Sequence, residues 1–140
     1  MPVHLEWVTK PTEQDLTDLQ KLLDDAPEDW HLRGTDLLSY LAAHPQLAAG
    51  RFNDRLIALA EVSEQNNACK IERLLVRKVT RNRGVARQLL TRLCQWADRE
   101  QQALRIHCNQ EQNLMEFGFF ASEGEWLRKP AGYKPPAATC

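Results

Sequence analysis

The sequence has no excess of basic charge. It carries 18 Lys and Arg against 19 Asp and Glu, for a net charge of -1. That balance argues against nucleic acid or a membrane surface as the main partner, because both select basic patches. The four cysteines, Cys69, Cys94, Cys108 and Cys140, include no CxxC pair. Reduced thiols in a cytoplasmic protein are therefore expected, with no metal site, since metal ligands usually come at paired spacing. His107 and Cys108 adjoin, but neighbours on a strand point to opposite faces and make a poor nucleophile pair. No basic stretch followed by an apolar run opens the chain, and no apolar run is long enough to span a bilayer. Two phosphate signatures, GxGxxG and GxxxxGK[ST], are missing. Tyrosine is scarce, with Tyr40 and Tyr133 the only two.

What remains is the composition of a globular domain, 43% hydrophobic and 26% charged over 140 residues. That length suits one domain with one modest core. Residues 1–128 are expected to form it, with the Pro- and Ala-rich residues 129–140 as a loosely held tail.

Residues 3–8 alternate and predict a strand. Thr12 is a good N-cap for a helix whose stripe is Leu16, Leu19, Leu22 and Leu23, with Pro27 as its breaker. A short second helix is predicted from Thr35 to Ala43, with Leu37, Leu38 and Leu41 inward. Strands follow at residues 47–52, 56–62 and 69–77. Asn53 and Asp54 form the first turn between them, and polar residues 63–67 the second. The clearest helical period runs from Val85 to Arg99, through Val85, Leu89, Leu90, Leu93, Trp96 and Ala97. Arg87, Gln88, Arg92, Gln95 and Asp98 are expected to face outward. A strand at 103–108, a short helix near 110–117 and two strands around Phe119 and Trp126 complete the order β-α-α-β-β-β-α-β-α-β-β. That order predicts an α/β fold, a mixed central sheet with helices on both faces. Trp7, Trp96 and Trp126 are expected in the core, and Trp30 to pack between the first two helices.

The chemistry centres on Thr80, Arg81, Asn82, Arg83, Gly84, Val85 and Ala86, with Arg87 just beyond. This stretch links an apolar strand to the strongest helix. The first N–H groups of a helix have no partner within it and carry partial positive charge, so they suit an anion. Gly84 and Ala86 let the backbone approach closely, while Arg81, Arg83 and Arg87 supply charge that pairs well with phosphate. An ordinary strand–helix turn with solvated arginines would carry the same residues.

The string Arg81-Asn82-Arg83-Gly84-Val85-Ala86 resembles the acetyl-CoA signature Arg/Gln-x-x-Gly-x-Gly/Ala of the GNAT (Gcn5-related N-acetyltransferase) superfamily. The element order fits that family from about Val3 to Trp126. The resemblance implies an acyl-CoA N-acyltransferase fold and binding of acetyl-CoA or CoA. It implies that Leu74, Leu75 and Val76 pair with the pantetheine arm through their backbone, that the amides of residues 81–86 hold the pyrophosphate, and that Asn109 adds a polar contact. Two further stretches, Arg51-Phe52-Asn53-Asp54-Arg55-Leu56 and residues 75–85, are similar to the PanZ (PanM) family. These are acetyl-CoA sensors that bind aspartate 1-decarboxylase and promote its self-cleavage. Gly118-Phe119 and Gly124-Glu125-Trp126 echo the end of that family. The match is poor before Leu47 and between Glu100 and Gln112.

The resemblance leaves two functions open. Acetyltransfer needs a base for the amine and an acid for the leaving thiolate. Glu72 is the first choice of base and Glu61 the second, although each also reads as a solvated strand carboxylate. GNAT enzymes often place a Tyr acid four residues before a Gly-Phe pair, and here that position holds Leu114. A regulator would instead meet the aspartate 1-decarboxylase precursor, and the family likeness makes Arg51 and Asn53 its candidate contacts. Taken as residues alone, Arg51 reads as a strand residue in solvent and Asn53 as a turn former.

Overall fold

The computed structural model describes residues 2–65, 68–107 and 114–130. Its elements are β1 (His4–Trp7), α1 (Glu13–Asp24), α2 (Leu37–Ala43), β2 (Leu47–Phe52), β3 (Arg55–Gln65), β4 (Ala68–Val76), α3 (Val85–Arg99), β5 (Ala103–His107), β6 (Phe120–Ser122) and β7 (Glu125–Arg128). The strands form one mixed sheet in the order β1-β2-β3-β4-β5-β7-β6. Among the described residues only β4 and β5 run parallel, joined by the crossover through α3. α1 and α2 cover one face, over Leu19, Leu22, Leu47 and Leu59. α3 covers the other, over Leu89, Leu93, Ile71 and Leu104. The expected mixed sheet with helices on both faces is what the chain forms.

Local chemistry explains the helix ends. Thr12 accepts from the Asp15 amide while Asp15 accepts from the Thr12 amide, a capping box that fixes where α1 begins. α3 spans Val85–Arg99, as its period predicts, because its buried positions, Val85, Leu89, Leu90, Leu93, Cys94 and Ala97, fall on one stripe, with Trp96 partly buried at its edge. Trp7 and Trp96 meet edge to face at 4.9 Å and fasten β1 to α3.

Several expectations need correction. α2 starts at Leu37, capped by Asp36. Its Leu38 is 69% exposed and Tyr40 is buried in its place, because the Tyr40 hydroxyl finds a carboxylate partner at Glu61, 2.6 Å away. The polar residues 63–65 do not turn. β3 continues through them and pairs with β4 as far as Gln65↔Ala68. Gln88, Arg92 and Asp98 do not simply face solvent. The Gln88 side chain accepts from the Val3 amide, Arg92 donates to the Val3 carbonyl, and Asp98 pairs with Arg128. Of the helix expected near 110–117, the described part is a single 3₁₀ turn, Met115–Phe117.

One irregularity shapes the rest. Glu61 pairs with Arg73 and the next residue, Val62, pairs with Ile71, so Glu72 is an extra residue bulged out of β4. A bulge bends its strand and raises the local twist. β4 pairs with β5 only from Ala68 to Ile71, just short of the bulge, and then leaves it. The bulge also exchanges the faces: Cys69 and Ile71 sit on the α3 side before it, Leu75 on the α1/α2 side after it.

Candidate functional site

Where β4 and β5 part, a cleft of about 460 Å³ passes between the two faces of the sheet. On the α3 side its walls are Ala86, Arg87 and Leu90, with Leu114, Glu116 and Phe117 opposite. On the other side it reaches Trp30 and Arg73, and Ile71, Glu72, Leu74 and Ile106 line the gap between them.

The start of α3 opens into this cleft. Gly84 is its N-cap, at φ +76°, and no side chain caps the helix. The amides of Val85, Ala86 and Arg87 have no carbonyl one turn back within the helix. Gly84 is required by its left-handed backbone, and a Cβ placed there would meet nothing within 4 Å, so the space above the loop is open. Asn82 shares that backbone class at φ +64°. Backbone donors thus stand uncapped at an open loop, which is what an anion site needs.

The loop arginines have distinct settings. Arg83 is exposed. Arg81 donates to the Asp25 carbonyl at the end of α1. Arg87 makes a two-pronged pair with Glu116 and lies over the Phe117 ring, 5.1 Å from its centroid. Its charge at the cleft mouth is thus already countered within the chain. Thr80 is buried and its hydroxyl donates to the Arg77 carbonyl at 3.0 Å, so its side chain shapes the turn before the loop. Asn109 lies outside the described residues.

At the far end the two base candidates separate. Glu72, the bulged residue, is exposed, lines the cleft and accepts from the Ser63 hydroxyl at 3.0 Å. Glu61 is 3% exposed and fully engaged: Arg73 donates to both oxygens, at 2.6 and 2.8 Å, and Tyr40 to one. Burial pushes the Glu61 carboxyl up, but the hydrogen bonds from Arg73 and Tyr40 outweigh it and hold the group below the ordinary carboxylate range. A carboxylate so stabilised is a poor base. The same Arg73 lies over Trp30 at 5.3 Å, so Trp30 belongs to the cleft's far wall. Leu114, in the position where an acid was sought, is 8% exposed and lines the cleft as hydrocarbon.

Arg51 and Asn53 lie elsewhere, on the β2–β3 hairpin. Asn53 and Asp54 take positive φ, +46° and +65°, and make its two-residue turn. Arg51 is tied to Glu6, Asp15 and the Asp54 carbonyl at 2.8 to 3.2 Å. Among the described residues no helix is long and apolar enough to cross a membrane, and no cluster of ligating side chains could hold a metal.

The fold that carries this cleft is shared by known proteins. The family model described as "Acetyltransferase (GNAT) domain, PanZ" matches residues 2–118. The chain belongs to the PanZ family of GNAT domains. Its fold is similar to that of Escherichia coli YhhK, solved bound to coenzyme A, at 24% identity and a TM-score of 0.59, over 92% of this chain and 99% of that one. It is also similar to PaiA N-acetyltransferase from Thermoplasma acidophilum in complex with coenzyme A, at 12% identity and TM-score 0.57, over 92% and 99%. A third is the ribosomal-protein-S18-alanine N-acetyltransferase of Escherichia coli, at 12% identity and TM-score 0.63, over 89% and 88%. At such identities the likeness is one of fold. No curated protein sequence matches the chain.

Sequence reasoning on this PanZ domain missed Asp25, Arg73 and Glu116. Asp25 bonds Arg77 from 52 positions away and Arg87 reaches Glu116 across 29. Pairings at that range leave no local pattern. Arg73 and Glu61 are 12 apart on neighbouring strands, and their pairing needed the hairpin register and its bulge to be known.

Proposed function

We propose that this PanZ domain binds acetyl-CoA in the cleft between β4 and β5 and acts as an acetyl-CoA-dependent regulator, with the aspartate 1-decarboxylase precursor as partner. The observation that carries the cofactor reading is the departure of β4 from β5 at Glu72, beside the uncapped start of α3. A strand edge released from its neighbour offers backbone donors and acceptors to an amide-bearing arm, and Leu74, Leu75 and Val76 lie on that edge. The amides of residues 81–86 would hold the pyrophosphate, Arg83 and Arg87 would add charge, and Asn109 a polar contact. The coenzyme A found in two proteins of the same fold supports the same ligand here. Bound there, the cofactor presents an activated acetyl thioester.

Regulation is favoured over transfer by Leu114. A buried hydrocarbon wall cannot donate a proton to a leaving thiolate, and the better-buried carboxylate, Glu61, is spent on Arg73. The partner would be met at the β2–β3 hairpin, through Arg51 and Asn53. If acetyl-CoA strengthens that contact, the partner must strengthen acetyl-CoA binding by the same factor.

Calorimetric titration with acetyl-CoA and with CoA tests the cofactor reading. Gly84→Glu should abolish binding, since it sets a carboxylate in the anion's place on a strained backbone. Unchanged binding by that variant would refute the site. For the partner, Asn53→Gly is the clean probe, because glycine keeps the positive φ and removes only the side chain. Copurification of the decarboxylase should then be lost. A second reading, N-acetyltransfer, draws on Glu72 in the cleft wall. Sustained thiol release with amines, abolished in Glu72→Gln, would establish it and sink a purely regulatory role.

A further inference from the structure

Three contacts converge on Asp25, the residue that ends α1. Its carboxylate accepts from Arg77 Nε at 2.7 Å and from the Lys78 amide at 3.0 Å. Its carbonyl accepts from Arg81 Nη2 at 2.5 Å. These donors bracket the 3₁₀ turn Lys78–Thr80, the segment between the end of β4 and the phosphate loop. The turn is closed internally by Thr80 and Arg81 amides bonding to the Arg77 and Lys78 carbonyls. The direction in which the chain enters Asn82 and Gly84 is therefore set by α1, an element outside the loop.

An acid at this place works against its own helix. The C-terminal end carries partial negative charge and favours cations. Asp25 also touches Arg81, at the edge of the proposed anion loop, through its carbonyl. Its charge is engaged by Arg77, and the hydrogen bonds from Arg77 and Lys78 hold the carboxyl low despite burial that pushes it up. The cost to α1 is offset by the carboxylate's contacts to Arg77 and Lys78, whereas the Arg81 contact uses the backbone carbonyl and does not need an acid.

We infer that Asp25 is a positioning residue for the phosphate-binding loop, fixing the entry to residues 81–86 so that their amides converge on one anion. The inference rests on the cofactor reading above. Donors stabilise an anion most when they are held in place beforehand, so loss of Asp25 acts on phosphate binding and not on the rest of the cleft.

The test compares wild type, Asp25→Ala and Asp25→Asn with two ligands. Acetyl-CoA is titrated by calorimetry, and S-acetylpantetheine, which has no phosphate, is read by melting shift at high concentration. Asp25→Ala should lose about tenfold in acetyl-CoA affinity, a difference of about 1.4 kcal/mol, with the S-acetylpantetheine shift unchanged. Asp25→Asn keeps an acceptor for the Lys78 amide and should lose roughly threefold. Hydrogen exchange on the ligand-free protein should show faster exchange at the Lys78, Thr80 and Arg81 amides in Asp25→Ala, with the body of α3 unaltered. Wild-type acetyl-CoA affinity in Asp25→Ala, or equal weakening of both ligands, would overturn the inference. If wild type binds no acetyl-CoA, the cofactor reading and this role toward it both fall, whereas unaltered exchange at those amides would overturn the loop-setting role alone.

Discussion

The two faces of the sheet are held in different ways. On the α3 side the contact is almost wholly hydrocarbon, with Leu89, Leu93 and Leu104 at 0% exposure. The α1/α2 side has its own leucines, but the buried Asp15, Asp18 and Glu61 also lie there. Each is paired with an arginine from a strand: Arg51, Arg55 and Arg73. Asp18 in addition receives the Leu56 amide at 3.1 Å. Hydrophobic burial is non-directional and tolerates substitutions that keep volume. A charged hydrogen bond fixes two groups at one distance and angle. The α3 face therefore supplies cohesion, whereas the α1 face places particular segments: the β2–β3 hairpin through Asp15 and Asp18, and the entry to the phosphate loop through Asp25.

The largest effects should come from opening either face, and their repair should differ. Leu93→Ala should cost about 3 kcal/mol, as a buried leucine that leaves a cavity. Glu61→Ala should cost a similar amount, about 3 kcal/mol, because it strands the Arg73 guanidinium and the Tyr40 hydroxyl. The double change Glu61→Leu with Arg73→Met should recover most of that loss, since removing both charges also removes their desolvation. Urea unfolding of the four proteins decides it. A double variant as unstable as Glu61→Ala would mean that the α1 face depends on more than mutual neutralisation.

Titration should separate the faces next. Burial raises Asp18, Asp25 and Glu61, but Asp18 and Asp25 are held below their ordinary value of 3.8 by arginine partners and backbone amides, and Glu61 below 4.5 by Arg73 and the Tyr40 hydroxyl. A carboxyl depressed in the folded state adds stability above its unfolded pKa and loses it as pH falls. Melting temperature should thus fall steadily below about pH 4.5, through the α1/α2 face. Cys94, on the α3 face, behaves oppositely: burial pushes its thiol from 9.0 up to about 11. The unfolded chain then ionises first, and stability is lost from pH 9 upward. Burial raises the Cys69 thiol on the same face as well. Cys94→Ala should therefore reduce that alkaline loss between pH 9 and 10, below the ordinary value of Tyr40, and Cys69→Ala with it should reduce the loss further. Both should leave the acid limb untouched.

A smaller effect should come from Gly50, on β2. A Cβ there would stand 2.8 Å from Val3 and 3.2 Å from Ala58. Gly50→Ala should cost about 1–2 kcal/mol by overpacking where β1, β2 and the α3 core meet. Equilibrium unfolding measures it, and paired with Val3→Ala the loss should shrink.

The same division of labour explains what could be read from the chain. The α3 helix and the Thr12 cap were legible because both are written in residues within one or two turns of each other. Leu38 was misassigned because Tyr40 takes the buried place, and the burial of Tyr40 depends on Glu61, 21 residues on. Asp15 and Asp18 of α1, and Asp25 at its end, look in sequence like ordinary solvated acids. Their partners stand 36 to 52 positions away. The bulge at Glu72, which opens the cleft, has no compositional mark. The phosphate loop was found from its Gly, its arginines and its setting, but the end of α1 that braces it was not.

The smallest expected effect falls on the pair that joins neither face to the core. Arg87 and Glu116 are both exposed, and ion pairs in solvent contribute little to folding. Glu116→Gln should therefore leave the melting temperature unchanged. Its influence should appear on the ligand instead. Glu116 holds the guanidinium that faces the cleft mouth, so a phosphate must compete with a carboxylate already in place. Freed of that competitor, Arg87 can turn to the anion, and acetyl-CoA affinity should rise roughly threefold at low salt and less as screening grows. Arg87→Gln should lower affinity in the wild-type background and in the Glu116→Gln background alike, more in the second. If Glu116→Gln weakened binding, the Met115–Phe117 turn would need its tie to α3 to shape the cleft wall, and the pair would belong with the positioning contacts of the α1 face.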